Sequence, residues 1–286
     1  MGEANSSVTR VWPVFDSLFA ADPSGVQWLK GLLRMAPRFN GSDPGPLLPR
    51  LSNFDQKLPR NMKKVLGERA TRIPYLRACF EVAYPPPEQI LYWLIDNFRS
   101  LTWPVGRRGI PQKYSAETQA LRIKLREGDE ATRNSALYQL QAHGASGAQR
   151  KWWAFEGFTS VDCVLETEHL LVFIEGKRTE PISSATAWYP QRNQIVRNVE
   201  VARAVASAAG KDFAVIVCAE EYMELSDNAF SNGLPHLSIV ERKNLQTHYW
   251  GCITWGQIVG TLCPYLSLPC NLDEAVRICE TARLKQ

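Results

Sequence analysis

The chain has 286 residues, 45% hydrophobic and 22% charged, enough apolar material for one large domain or two modest ones and ordinary for a folded globular protein. Its longest apolar runs, such as Leu170 to Ile174, are strand-sized and too short to cross a bilayer, and the polar start MGEANSSVTR has no secretory pattern. Seven scattered cysteines without a C-x-x-C pair exclude a zinc-finger pattern and point to free thiols in a reducing, cytoplasmic setting. The net charge of +4 is uneven, with +7 over residues 1–113 and −3 over the rest. Lys57 to Arg77 concentrates it, setting Lys57, Arg60, Lys63, Lys64, Arg69, Arg72 and Arg77 against the single acid Glu68. A basic stretch of this kind suits phosphate backbones, Lys63 and Lys64 foremost, and it equally suits a solvated helix face.

In chain order, the first hundred residues read as helical and irregular. Val14 to Phe19 and Val26 to Met35 have helical apolar spacing, and Pro37 to Pro49 reads as loop. Pro85-Pro86-Pro87 opens a clearer helix, EQILYWLIDNFRSL. The Pro- and Gly-rich stretch from Pro104 to Pro111 then marks the best boundary, dividing a basic, mainly helical accessory region, 1–110, from a core, 111–286. Ser115 can cap a helix through Leu125, and Asp129 a second that ends near Gly144. Trp152–Glu156, Val161–Thr167 and Leu170–Lys177 read as strands, the last two as a hairpin. Pro190 opens a long helix ending at Gly210, followed by the buried strand DFAVIVCAE. A strand near Leu237–Val240, a short helix near Trp255–Leu262 and a last helix from Leu272 to Leu284 complete the reading. Helix, hairpin, helix and strand describe an α/β unit with a mixed central sheet flanked by helices.

Residues 160–180, SVDCVLETEHLLVFIEGKRTE, carry the chemistry. Alternation on a strand sends Leu171, Phe173, Glu175 and Lys177 to one face, and Val172 and Ile174 to the other. Unpaired charge at the end of so apolar a strand costs several kcal/mol unless the charges pair or serve a metal. Asp162 on the neighbouring strand can reach the same place, and two carboxylates with a lysine make a hard-cation site.

This pattern resembles the PD-(D/E)XK nuclease superfamily, which has the restriction-endonuclease-like fold. Asp162 stands for its first acid, and Glu175-Gly176-Lys177, 13 residues on, for its acid–any–lysine triplet. Val161 replaces the proline expected before the first acid. The resemblance covers about 105 residues and leaves the N-terminal third unaddressed. It implies a deoxyribonuclease, with DNA favoured over RNA, no membrane partner, and room for a homodimer. Asp162, Glu175 and the Gly176 carbonyl would hold Mg²⁺ or Mn²⁺, and Lys177 would hold the nucleophilic water or the phosphate. Glu117, in phase with Leu121 and Leu125, would supply a further acid from a helix, and Gln194, with Gln191 as rival, the glutamine that some branches carry. Arg178 and Arg192 are candidate phosphate contacts.

Other residues are expected to be structural. Trp152 and Trp153 suit a core, while Trp188 and Tyr189 could either pack or stack on bases. His143, His169, His236 and His248 are isolated, and Cys163 should face away from Asp162. Ser183 and Ser184 have no His–Asp context. The rival functional reading is a catalytically silent nucleic-acid-binding or scaffold protein with the same fold. A Schiff-base enzyme using Lys177 ranks last, since it explains neither Asp162 nor the basic segment.

Overall fold

The computed structural model describes residues 7–39, 77–103 and 115–266, except 23, 26, 179, 180, 183–185, 187 and 227. The segment around Lys63 and Lys64, the boundary at 104–113 and the expected C-terminal helix lie outside the described residues.

Five strands form one open sheet in the order β1-β2-β3-β4-β5: Arg77–Tyr84, Thr159–Glu166, Leu170–Gly176, Asp212–Ala219 and Tyr249–Thr254. β1, β2 and β3 are antiparallel, and β3, β4 and β5 are parallel, so the sheet is mixed. The helices are α1 (Trp12–Ala21), α2 (Leu29–Met35), α3 (Glu88–Asp96), α4 (Ala116–Arg126), α5 (Glu130–His143), α6 (Gln194–Ala209), α7 (Ala229–Gly233), α8 (Ile239–Thr247) and α9 (Trp255–Leu266).

β3 is apolar on both sides because both sides are covered. Leu171 and Phe173 pack with Val199, Ala202 and Phe230 of α6 and α7, and Val172 and Ile174 with Phe15, Leu32 and Trp255 on the opposite face. The alternation read from the sequence therefore holds in β3, and Cys163 of β2 lies on the second face. A third core under α3, α4 and α5 joins Leu91, Leu125, Ala136, Trp153 and Phe155. Cys163, Cys218, Cys252 and Cys263 are buried. No helix among the described residues is long and apolar enough to cross a membrane.

Local signals place most helix ends. Ser115 accepts from the Thr118 amide and Asp129 from the Thr132 amide, and Gly144 and Gly210 close their helices at φ 62° and 65°. Helix α6 starts four residues beyond Pro190, where Asn193 accepts from the Val196 amide.

Four readings change. Residues 152–156 are not a strand: Trp153 and Phe155 are buried in the third core from an irregular segment. Leu237–Val240 is not a strand either, since Ser238 and Glu241 form a capping box that starts α8 and leaves Ile239 and Val240 exposed. β5 emerges from a stretch not read as a strand, and so does β1 within the region read as helical. β1 comes from before the expected boundary and pairs with β2, while α1 and α2 cover one sheet face, so the sheet layers draw on both sides of residue 110.

Candidate functional site

The hairpin brings the two acids together. Cys163 pairs with Ile174, placing Asp162 beside the end of β3. Asp162 Oδ2 accepts from the Gly176 amide at 2.7 Å. Glu175, 2% exposed, has Lys177 Nζ 2.9 Å from its Oε1. Gln194, on the first turn of α6, donates to Glu175 Oε1 at 2.5 Å and accepts from Lys177 Nζ at 2.9 Å. Asn198, one turn later on α6, donates to Glu175 Oε2 at 2.9 Å. Lys177 is fixed through its backbone: its amide donates to the Cys218 carbonyl, and its own carbonyl accepts from Trp255 Nε1 at 2.9 Å.

Gly176 is required between the two charged residues. A Cβ there would stand 2.3 Å from Cγ2 of fully buried Val11, which packs from the N-terminal turn Ser7–Val11. Gly176→Ala is therefore expected to destabilise the fold by about 1–3 kcal/mol, read as a lower urea midpoint. Adding Val11→Ala removes the colliding methyl, so the double variant should recover part of that loss; strict additivity would contradict the clash.

Asp162 differs from Glu175 in its electrostatics. Burial, then the neighbouring Glu175 charge, raises its pKa to about 7, against the opposing pull of the Gly176 amide and Lys177. Glu81 contributes too. It stands between the pairs Phe80–Cys163 and Val82–Val161, opposite Asp162, with φ of 52°, a left-handed conformation that a non-glycine residue seldom adopts. Val161 and Val164 enter the same core, so the side-chain alternation of β2 breaks around Asp162 with no shift of register.

The residues suit a hard cation in charge and donor type. Asp162 and Glu175, with Glu81 nearby, outnumber the single ammonium of Lys177, and Mg²⁺ typically takes one or two carboxylates and keeps its waters. No group of three or more His, Cys, Asp or Glu among the described residues makes a ready-made metal cage.

The structure thus converges Asp162, Glu175, Gly176, Lys177 and Gln194. Glu117 is not brought there. It is exposed on α4, whose buried side enters the helical third core, and it is not among the charges acting on Asp162. Leu121 and Leu125 do face a core, but Glu117, a turn earlier, does not share their burial. The rival Gln191 is also elsewhere, accepting from the Tyr189 hydroxyl at 3.0 Å. Arg178 is exposed beside Lys177. Arg192 is no phosphate contact: fully buried, it ion-pairs with Glu156 and, at 2.6 Å, with Glu200, and donates to the Gly233 carbonyl at 3.1 Å. His236 belongs to this network, 2.6 Å from Glu200. Trp152, Trp153 and Tyr189 are buried, and Trp188 packs edge-on against Trp103 and Phe155 with Arg122 over its ring.

Asn198, Glu81 and the buried Thr159 were missed. Asn198 was accessible in principle, being four residues after Gln194 and so on the same helix face. Glu81 was hidden with the unrecognised β1.

Fold and site together define an α/β protein with a mixed five-stranded sheet and a carboxylate–lysine cluster at the end of its third strand. Comparison of the chain with protein-family models, curated proteins and solved structures found no match.

Proposed function

We propose that the protein is a metal-dependent nuclease of the PD-(D/E)XK kind that hydrolyses phosphodiester bonds in DNA. The carrying observation is the convergence of Asp162, Glu175 and Lys177, from a hairpin and the triplet that ends it, two carboxylates against one ammonium. The helix after the lysine strand adds Gln194, as the resemblance implies.

In this reading Asp162, Glu175 and the Gly176 carbonyl hold Mg²⁺ or Mn²⁺, which when bound acidifies water and neutralises charge growing on the phosphate. Lys177 holds the attacking water or a phosphate oxygen, and Gln194 orients the Lys177 ammonium against Glu175. Arg178 and the basic segment around Lys63 and Lys64 would meet the DNA backbone through its phosphates, which gives affinity without base selectivity.

One observation favours the silent scaffold: both oxygens of Glu175 already have protein donors. Plasmid and linear DNA assayed with Mg²⁺, Mn²⁺ or a chelator separate the two. Cleavage should need the metal and fall at least about 100-fold in Asp162→Ala and in Lys177→Ala. Calorimetry should show weaker Mn²⁺ binding in Asp162→Ala but equal or tighter binding in Lys177→Ala, which removes a like charge. No cleavage of DNA or RNA, with equal and weak Mn²⁺ binding in all three proteins, would establish the scaffold instead.

A further inference from the structure

Asn198 is fully buried on α6, and both ends of its amide are committed. Nδ2 donates to Glu175 Oε2 at 2.9 Å, and Oδ1 accepts from the Thr159 hydroxyl at 2.9 Å. The amide has only one sensible orientation. An ionised carboxylate only accepts, so the NH₂ group must face Glu175. The carbonyl then faces Thr159, at the start of β2, whose hydroxyl can donate. Reversing the amide would set its oxygen against a carboxylate oxygen in a buried place.

The two oxygens of Glu175 are consequently held by different means. Oε1 meets Lys177 and Gln194, the groups nearest the proposed chemistry. Oε2 meets Asn198 on α6, whose amide is backed in turn by Thr159 on β2, the other strand of the hairpin. A carboxylate rotates about its last bond unless both oxygens are tied, and a loose ligand or general base acts poorly.

We propose that Asn198, oriented by Thr159, is a positioning residue that fixes the Glu175 carboxylate for cleavage. The proposal rests on the nuclease reading and adds to it two residues that never touch the substrate. Outer hydrogen-bond partners of this type commonly account for about 10- to 100-fold in activity or metal affinity.

The test compares Asn198→Leu, Thr159→Val, their double variant and Thr159→Ser. In DNA cleavage, Asn198→Leu should lower kcat about 10- to 100-fold with KM nearly unchanged. Thr159→Val should act in the same direction by less, and Thr159→Ser, which keeps the hydroxyl, should resemble the wild type. The double variant should be no worse than Asn198→Leu, because the hydroxyl acts through the amide. Mn²⁺ affinity, measured by calorimetry without substrate, should follow the same order. A purely packing role would lower the melting temperature, leave kcat and Mn²⁺ affinity of the folded protein intact, and give additive losses; that result overturns the proposal. The crystal structure of Asn198→Leu decides independently of activity. The Glu175 carboxylate should lose its single position, and finding it unmoved overturns the positioning role. A wild type that neither cleaves nor binds Mn²⁺ removes the nuclease reading, and the crystallographic result still judges whether Asn198 holds the carboxylate.

Discussion

Arg192→Met is expected to cost about 3–5 kcal/mol of folding stability, much of what holds a domain of this size together. Arg192 is fully buried, and so are Glu156 and Glu200, whose side chains are 1% and 0% exposed. Methionine fills much of the volume, but it leaves two carboxylates in the interior without their shared cation. Burial by itself raises a carboxylate's proton affinity; for Glu200 the Arg192 charge and His236 outweigh that and hold its pKa at about 2. The sign of the pH dependence follows. In the wild type the Glu200 contribution is complete above its ordinary value of 4.5 and is lost as pH falls towards 2. In Arg192→Met Glu200 is left with His236 and Glu156 with Arg197 at 3.5 Å, so these acids take up protons more readily in the fold and that variant should instead gain stability on mild acidification. Arg192→Lys should rescue poorly, because one ammonium cannot reproduce a planar fork that serves two acids and a carbonyl. Urea unfolding at about pH 3, 5 and 8 reads all of this. A loss below about 1 kcal/mol at pH 8 would show the network to be dispensable.

Asp162→Asn is expected to move stability and activity in opposite directions. Asp162 titrates at about 7 in the fold against 3.8 as a free group, so the folded state holds the extra proton between those values. The Asp162 contribution in the metal-free wild type should therefore be complete near pH 4 and be lost as pH rises through 7. Asparagine keeps the acceptor for the Gly176 amide and abolishes the repulsion from Glu175. At pH 8, without metal, the variant should be more stable by about 1–3 kcal/mol, and its melting temperature should be flatter between pH 5 and 8. Cleavage should vanish with the charge. Mn²⁺ should raise the melting temperature of the wild type and leave that of the variant nearly unchanged, since only a ligand that binds the fold stabilises it. Equal stability of the two proteins at pH 8 would mean that Asp162 carries no stored repulsion, and cleavage by the variant would remove it from the chemistry.

These expectations trace back to features of different legibility. The amino-acid order by itself determined whatever depends on neighbours a few residues apart. Ser115, Asp129, Gly144 and Gly210 punctuate helices because caps and left-handed closures are local. The alternation Leu171, Phe173, Glu175 was readable because a strand has a period of two, and the hairpin then brought Asp162 within reach. Gln194, by contrast, came from the family resemblance and not from a local pattern. The capping box of Ser238 and Glu241 was equally local, and the β-branched pair Ile239–Val240 masked it. Only the tertiary structure decided which faces meet. Leu121 and Leu125 face a core as their spacing says, but Glu117 is exposed and that core is the third one, which no periodicity distinguishes from the others. Arg192 is a phosphate contact or a buried pivot depending on Glu156, 36 residues away, and no spacing rule couples such a pair. Glu81 and Thr159 reach the site because β1 and β2 pair at sequence separations of 75 to 89, from Tyr84–Thr159 to Arg77–Glu166. The cost of closing so long a loop is met by packing of the whole sheet rather than by any local preference, and that is why those partners left no trace in the sequence.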